Sequence, residues 1–132
     1  MISVRHAVTG DSGTVSALLS DARLESSRYR GHLDVDDHPV ETLVACIAED
    51  VVGVLTYRDD ESVRIITAVH VHHAAREVGA GDALVEFVVA EAVNSGCTHV
   101  RSAALPGDRA TKNLFERNGL VARAIQVEKK LD

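Results

Sequence analysis

Aromatic side chains are nearly missing from this chain. Its 132 residues include no Trp, and Tyr29, Tyr57, Phe87 and Phe115 are the only aromatic rings of the Phe/Tyr/Trp kind, 3% of the whole. A core built here rests on Val, Leu, Ile and Ala. No Lys/Arg run interrupts a net charge of −6, which argues against a nucleic-acid partner or an anionic membrane surface. No apolar stretch approaches the roughly 20 residues that a bilayer-spanning helix needs. Residues 1–6, MISVRH, lack the apolar region of a signal peptide. Cys46 and Cys97 are the only cysteines. One lies in an alternating strand pattern and one beside Gly96, so they are expected to be small buried hydrophobes in a reducing, cytoplasmic compartment. What is present, 45% hydrophobic residues in one domain's length, suffices for a single core spanning residues 1–132.

Periodicity supplies an order of elements. Ile2, Val4 and His6 alternate with polar neighbours as a short strand. Asp11 is an expected N-cap, and Val15, Leu18, Leu19 and Ala22 recur at helical spacing. Residues 25–39 form a charged segment expected to hold a helical turn and a loop. Two β-rich runs, 43–49 and 51–57, pair as a hairpin turning at Glu49-Asp50. Asp59-Asp60 marks a second turn before a third run, 62–71. With no helix between them, these runs should form an antiparallel meander. Leu84, Phe87, Val88 and Ala92 make a helical stripe that closes at Gly96. A strand over 98–105 follows, then a turn at Pro106-Gly107. A short helix capped by Asp108 carries Leu114 and Phe115, and an alternating strand over 122–130 closes the chain. The order is βα(α)βββαβαβ, an α+β fold. A helical crossover makes the strands at 62–71 and 98–105 parallel neighbours, expected at the centre of a twisted mixed sheet.

Between the third run and the helical stripe stands Arg76-Glu77-Val78-Gly79-Ala80-Gly81. Two glycines one residue apart allow backbone N–H groups to approach a ligand without Cβ obstruction. At a helix start, those N–H groups and the helix dipole attract an anion such as a diphosphate, and Arg76 adds a charge at the rim. The same glycines also serve a strand-to-helix loop that needs their dihedrals. The hexapeptide alone leaves both readings open.

The longer run VHHAAREVGAG at 71–81 resembles the acyl-CoA-binding motif of the GCN5-related N-acetyltransferase (GNAT) family. That motif is a strand followed by Arg/Gln-x-x-Gly-x-Gly/Ala opening a helix. NLFERNGL at 113–120 is similar to the family's short-helix motif, and residues 4–11 resemble its first strand and helix cap. The resemblance implies a single-domain acyl-CoA N-acyltransferase fold. In it, the backbone N–H groups of Glu77, Val78, Gly79, Ala80, Gly81 and Asp82 hold the pyrophosphate of acetyl-CoA or coenzyme A. The strand ahead of the loop would carry a bulge, and the backbones of Val69 and Val71 on its open edge would meet the pantetheine. Splaying between 69–71 and 100–102 would leave a slot for the acyl group and its acceptor. Lys112 and Arg109 become candidates for the adenosine phosphates, and Phe115 counts with the cofactor-binding positions.

The implied activity is acetyl transfer from acetyl-CoA to an amine of a small molecule or an amino group, by direct attack in a ternary complex, with homodimerisation left open. Acyl transfer to an amine needs a base for the amine and a proton for the thiolate. Where the family often has a Tyr on the short helix, this chain has Phe115. Mid-strand, where the family's base is frequently Glu or His, it has Ile65, Ile66 and Thr67, with Glu61 only at the strand's start. His70 is the candidate base. Ser102 is a second catalytic candidate, and Tyr57 also carries a hydroxyl that could reach the slot. His70 and His72 raise a metal site, but no carboxylate or Cys lies nearby in sequence, so no metal is expected. Asp34, Asp36 and Asp37 would suit an amine acceptor, whereas Arg28 and Arg30 would suit a carboxylate on it. Two rivals remain: a dinucleotide loop, which lacks its third small residue at Leu84, and a CoA-binding sensor of the same fold without catalysis.

Overall fold

Alternating branched apolar residues set the frame of the computed structural model, which describes residues 1–33 and 37–132. Strands β1 (Ile2–His6), β2 (Glu41–Ile47), β3 (Asp50–Asp60) and β4 (Val63–Val71) form an antiparallel meander, and β5 (His99–Arg101) joins β4 in parallel. The sheet order is β1-β2-β3-β4-β5. Helix α1 (Ser12–Ser26) separates β1 from β2, α2 (Ala80–Asn94) crosses from β4 to β5, and α3 (Arg109–Arg117) follows β5. Among the described residues no helix is long and apolar enough to cross a membrane.

Both faces of the sheet are covered. Leu43, Ala45, Leu55 and Tyr57 cluster with Leu84, Val85 and Val88 of α2. Val44 and Val54, which alternate with them and so point to the opposite face, are also fully buried. α1 packs against β3 and β4. Gly53 lets α2 come close, because a Cβ there would stand 3.3 Å from the Leu84 side chain.

The mixed α+β architecture and the parallel β4–β5 contact agree with the expectation. Its details depart in five places. The hairpin turns fall at Ala48-Glu49 and Glu61-Ser62, not at Glu49-Asp50 and Asp59-Asp60. Ala48 and Glu61 both take φ 54, a conformation their residue types do not advertise. Asp59 stays in β3 because its carboxylate is forked by Arg64 across the hairpin at 2.8 and 3.0 Å. Asp11 starts α1, but its side chain does not cap it. Instead it accepts from the Val8 N–H at 2.8 Å and from Arg5 at 2.7 Å, closing the 3-10 turn before the helix.

The parallel ladder is only three pairs long, Val63 with His99 to Ile65 with Arg101, so the expected strand over 98–105 is mostly loop. Residues 122–130 form no strand, and Ile125 and Val127 are each 88% exposed. Alternation alone does not make a strand without an edge to pair with, and β5 offers a very short one. The parallel pair therefore sits at an edge of the sheet, not at its centre.

Candidate active site

β4 carries an extra residue. Thr56 pairs with Ala68 and Tyr57 with Ile66, which leaves Thr67 as a bulge. The Thr67 and Thr56 hydroxyls lie 2.7 Å apart. A bulge bends and twists its strand, and the parallel pairing with β5 ends just before it, at Ile65. From Ile66 onward the outer edge of β4 has no strand beside it among the described residues. The Ser102 hydroxyl bridges the gap at its start, donating to the Ile66 carbonyl at 2.9 Å.

Two clefts follow from that divergence. The larger, about 260 Å³, runs along Val69, His70 and Val71 to Gly81 and Asp82 in the first turn of α2, with Asp108, Thr111 and Leu114 of the α3 region opposite. The smaller, about 210 Å³, lies at the bulge among Leu33, Ile65, Ile66, Thr67, Arg101, Ser102 and Ala103.

The glycine loop is wound more tightly than its sequence suggests. His73–Val78 is a 3-10 turn, capped where the His72 ring accepts from the Ala74 N–H at 3.2 Å. Gly79 then takes φ 88 and starts α2. Glu77 and Val78 lie within the 3-10 turn, where N–H groups tend to be used by i→i+3 bonds. The first-turn N–H groups of Ala80, Gly81 and Asp82 lack intrahelical partners by helix geometry. A Cβ at Gly81 would come 3.4 Å from the Leu114 side chain, so this glycine also admits α3.

Charge in the larger cleft is organised in pairs. The Arg76 Nε donates to the Val71 carbonyl at 2.9 Å, and its terminal nitrogens fork the Glu25 carboxylate at 2.9 and 2.6 Å. That hydrogen bonding holds the Glu25 carboxyl below the usual range, against an opposing push from burial. His70 is buried, with Nδ1 3.7 Å from Glu25. Burial pushes its imidazole below its ordinary value, and the Glu25 charge partly opposes this. Asp82 is forked by Arg117 at 3.2 and 3.1 Å and accepts from Asn118 at 3.0 Å, which holds its carboxyl low. Asp108 caps α3 through the Thr111 N–H and hydroxyl.

The sequence candidates thus separate. Val69, His70, Val71, Arg76, Gly81 and Asp82 share the larger cleft, and Ser102 lies in the smaller one. Lys112 lines neither cleft and pairs with Glu116 at 3.6 Å. Phe115 is packed in the apolar core and does not line the larger cleft. Tyr57 is equally interior, lying under Arg64 with 4.3 Å between guanidinium and ring centroid. Asp34 and Asp36 lie outside the described residues. Sequence reasoning missed Glu25, Ser26 and Tyr29 as cleft walls. Their signal was available in part: 22, 25 and 26 continue the Leu18–Ala22 stripe of α1 at helical spacing, and Tyr29 follows just past the helix end.

Basic and backbone donors beside an open strand edge suit an extended phosphorylated ligand, and two acids of the same groove, Glu25 and Asp82, are already paired with arginines. The model of the acetyltransferase (GNAT) family matches residues 14–120. No curated protein matches the chain. Among solved structures, a transcriptional regulator from Bacillus halodurans C-125 superposes with TM-score 0.77 at 24% identity, covering 99% of this chain and 100% of that one. A ribosomal-protein-alanine N-acetyltransferase from Brucella melitensis biovar Abortus 2308 gives 0.77 at 17% identity, with 99% and 100% covered. The aminoglycoside N-acetyltransferase AAC(6')-Iy, solved with CoA, gives 0.72 at 16% identity, with 98% and 100% covered. At these identities the structural likeness is one of fold.

Proposed function

The chain belongs to the acetyltransferase (GNAT) family, and from that membership we propose that it binds acetyl-CoA in the larger cleft and acetylates an amine. One observation carries the reading: past the end of the parallel ladder at Ile65, the Val69–Val71 stretch of β4 and the first turn of α2 line the same groove. The backbones of Val69 and Val71 would take the pantetheine. The N–H groups of Gly79, Ala80, Gly81 and Asp82 would take the diphosphate, with the dipole of a 15-residue helix behind them. Bound there, the cofactor supplies a thioester carbonyl for attack by the acceptor amine.

The acceptor, a small-molecule amine or an amino group, would enter by the smaller cleft at the bulge. Ile65, Ile66 and Ala103 line it with apolar surface, and Ser102 and Thr67 bring hydroxyls to where the strands part. His70 stands four residues beyond Ile66 on β4, roughly 13 Å at strand rise. That separation favours a role for His70 at the cofactor end over one as the amine's base. Catalysis then rests on positioning, with Ser102 and water handling protons.

A second reading, cofactor binding without transfer, is favoured by the smaller cleft itself. Among its described residues it has no Asp, Glu, His or Tyr to move a proton. Thiol release from acetyl-CoA across a panel of amines, amino acids and peptides separates the two. Amine-dependent release supports the transferase. Tight CoA binding with no release across the panel supports the sensor.

A further inference from the structure

Glu25 places a carboxylate inside a groove proposed above as an anion site, and it already occupies Arg76, one of the two arginines that line it. Its Oε2 lies 2.6 Å from Arg76 Nη2 and 3.7 Å from His70 Nδ1. One carboxylate oxygen therefore stands between two cationic or potentially cationic groups and hydrogen-bonds only one. The His70 side chain is 8% exposed and that of Glu25 33%. A diphosphate at the start of α2 would compete with Glu25 for Arg76, because both offer paired oxygens to the same guanidinium fork. The gap from Glu25 to His70 exceeds a hydrogen bond by less than 1 Å, within reach of a small side-chain rotation.

Resting on the CoA reading of this cleft, we propose that Glu25 is a positioning residue that exchanges Arg76 for His70 when the cofactor binds, so that binding draws a proton from water onto His70. In the free protein, burial and the nearby Arg76 and His72 charges favour the neutral ring, while Glu25 and Asp21 oppose them. Release of Glu25 from Arg76 and arrival of the diphosphate both favour the imidazolium. The remaining charges of the groove do not compete for the ring. Asp82 is held by Arg117 and Asn118, and Asp108 by the first turn of α3. The balance is one proton taken up from solvent, with no covalent bond made or broken.

Linkage fixes the sign. Proton uptake makes CoA affinity fall as pH rises between the free and bound His70 pKa values, by at most about tenfold per unit. Calorimetric titration of CoA near neutral pH, in Hepes and in Tris, reads the uptake from the difference in heat between buffers. The wild type should take up a fraction of a proton, up to one per CoA. His70→Gln should abolish the uptake attributable to the ring. Glu25→Gln should reduce it while binding CoA as tightly or more tightly, because Arg76 is no longer clamped. The His70 ring signals in the NMR spectrum of the wild type, titrated with and without CoA, should show a higher midpoint in the complex. Equal heats in both buffers, uptake retained in His70→Gln, or an unmoved ring midpoint would each overturn the exchange while leaving CoA binding intact. No heat with CoA in either buffer would instead remove the cofactor reading, and this inference with it.

Discussion

Phe115 is 7% exposed, and its ring packs in the same apolar cluster as Leu84, Val85 and Val88. A hydroxyl added at its tip would leave water for that cluster. Phe115→Tyr is expected to cost about 1–3 kcal/mol in chemical denaturation and to leave thiol release no faster. A higher turnover would return this position to the reaction. Arg64 is 4% exposed, and its Nη1 has no hydrogen-bond partner among the described residues. Asp59 and the face of Tyr57 hold the rest of the group. Asp59→Ala should therefore destabilise by about 3 kcal/mol, the lower end for breaking a buried pair because Asp59 itself is half open to water.

Four carboxyls, those of Asp11, Glu25, Asp59 and Asp82, are held below their usual range, Asp11 at about 2. Groups depressed in the folded state stabilise it above their unfolded values. That contribution is present at neutral pH and disappears as pH falls from about 4 toward 2. A melting temperature that held constant across that window would contradict these pairings. Hydrophobic identity was readable residue by residue, as Leu43, Leu84 and Val88 attest. Ionic partnership was not, because Glu25 with Arg76 and Asp82 with Arg117 lie 51 and 35 positions apart.

At the scale of elements, period and punctuation located α1, α2, α3 and the meander, since Leu18 and Ala22 or Leu84 and Val88 recur on one helical face, but not the 3-10 turn over His73–Val78. The turns slipped because they depend on which residue adopts positive φ, and neither Ala48 nor Glu61 is a usual choice. Left-handed backbone costs a non-glycine residue about 1–2 kcal/mol, against about 0.4–1 for the extra freedom of glycine when unfolded. Glu61→Gly, at an exposed turn, should thus raise stability by about 0.5 kcal/mol in denaturant titration. The short β5 and the unpaired residues 122–130 were unreadable for a related reason: strand pattern reports a side-chain arrangement, whereas a strand also needs a hydrogen-bonding edge. Gly79 illustrates how local form changes an experiment. At φ 88, Gly79→Val would strain the loop whatever it binds, so Gly81→Val is the cleaner probe of the groove, although its side chain presses on Leu114.

At the scale of the molecule, the meander, the crossover through α2 and the bulge at Thr67 combine to leave one strand edge open beside a helix start. The resemblance to the family was enough to anticipate that opening. Its position was not, because the parallel ladder stops at Ile65 with Arg101 and the sheet parts there, several residues before the expected stretch at 69–71. The proposed function makes this opening the seat of CoA. Hydrogen–deuterium exchange with and without CoA tests it most directly, because backbone amides are the proposed contacts. Exchange should slow in residues 69–71 and 79–82 when CoA is added, and slow less in Gly81→Val. Unchanged exchange there, with protection confined to distant segments such as residues 41–60, would contradict it.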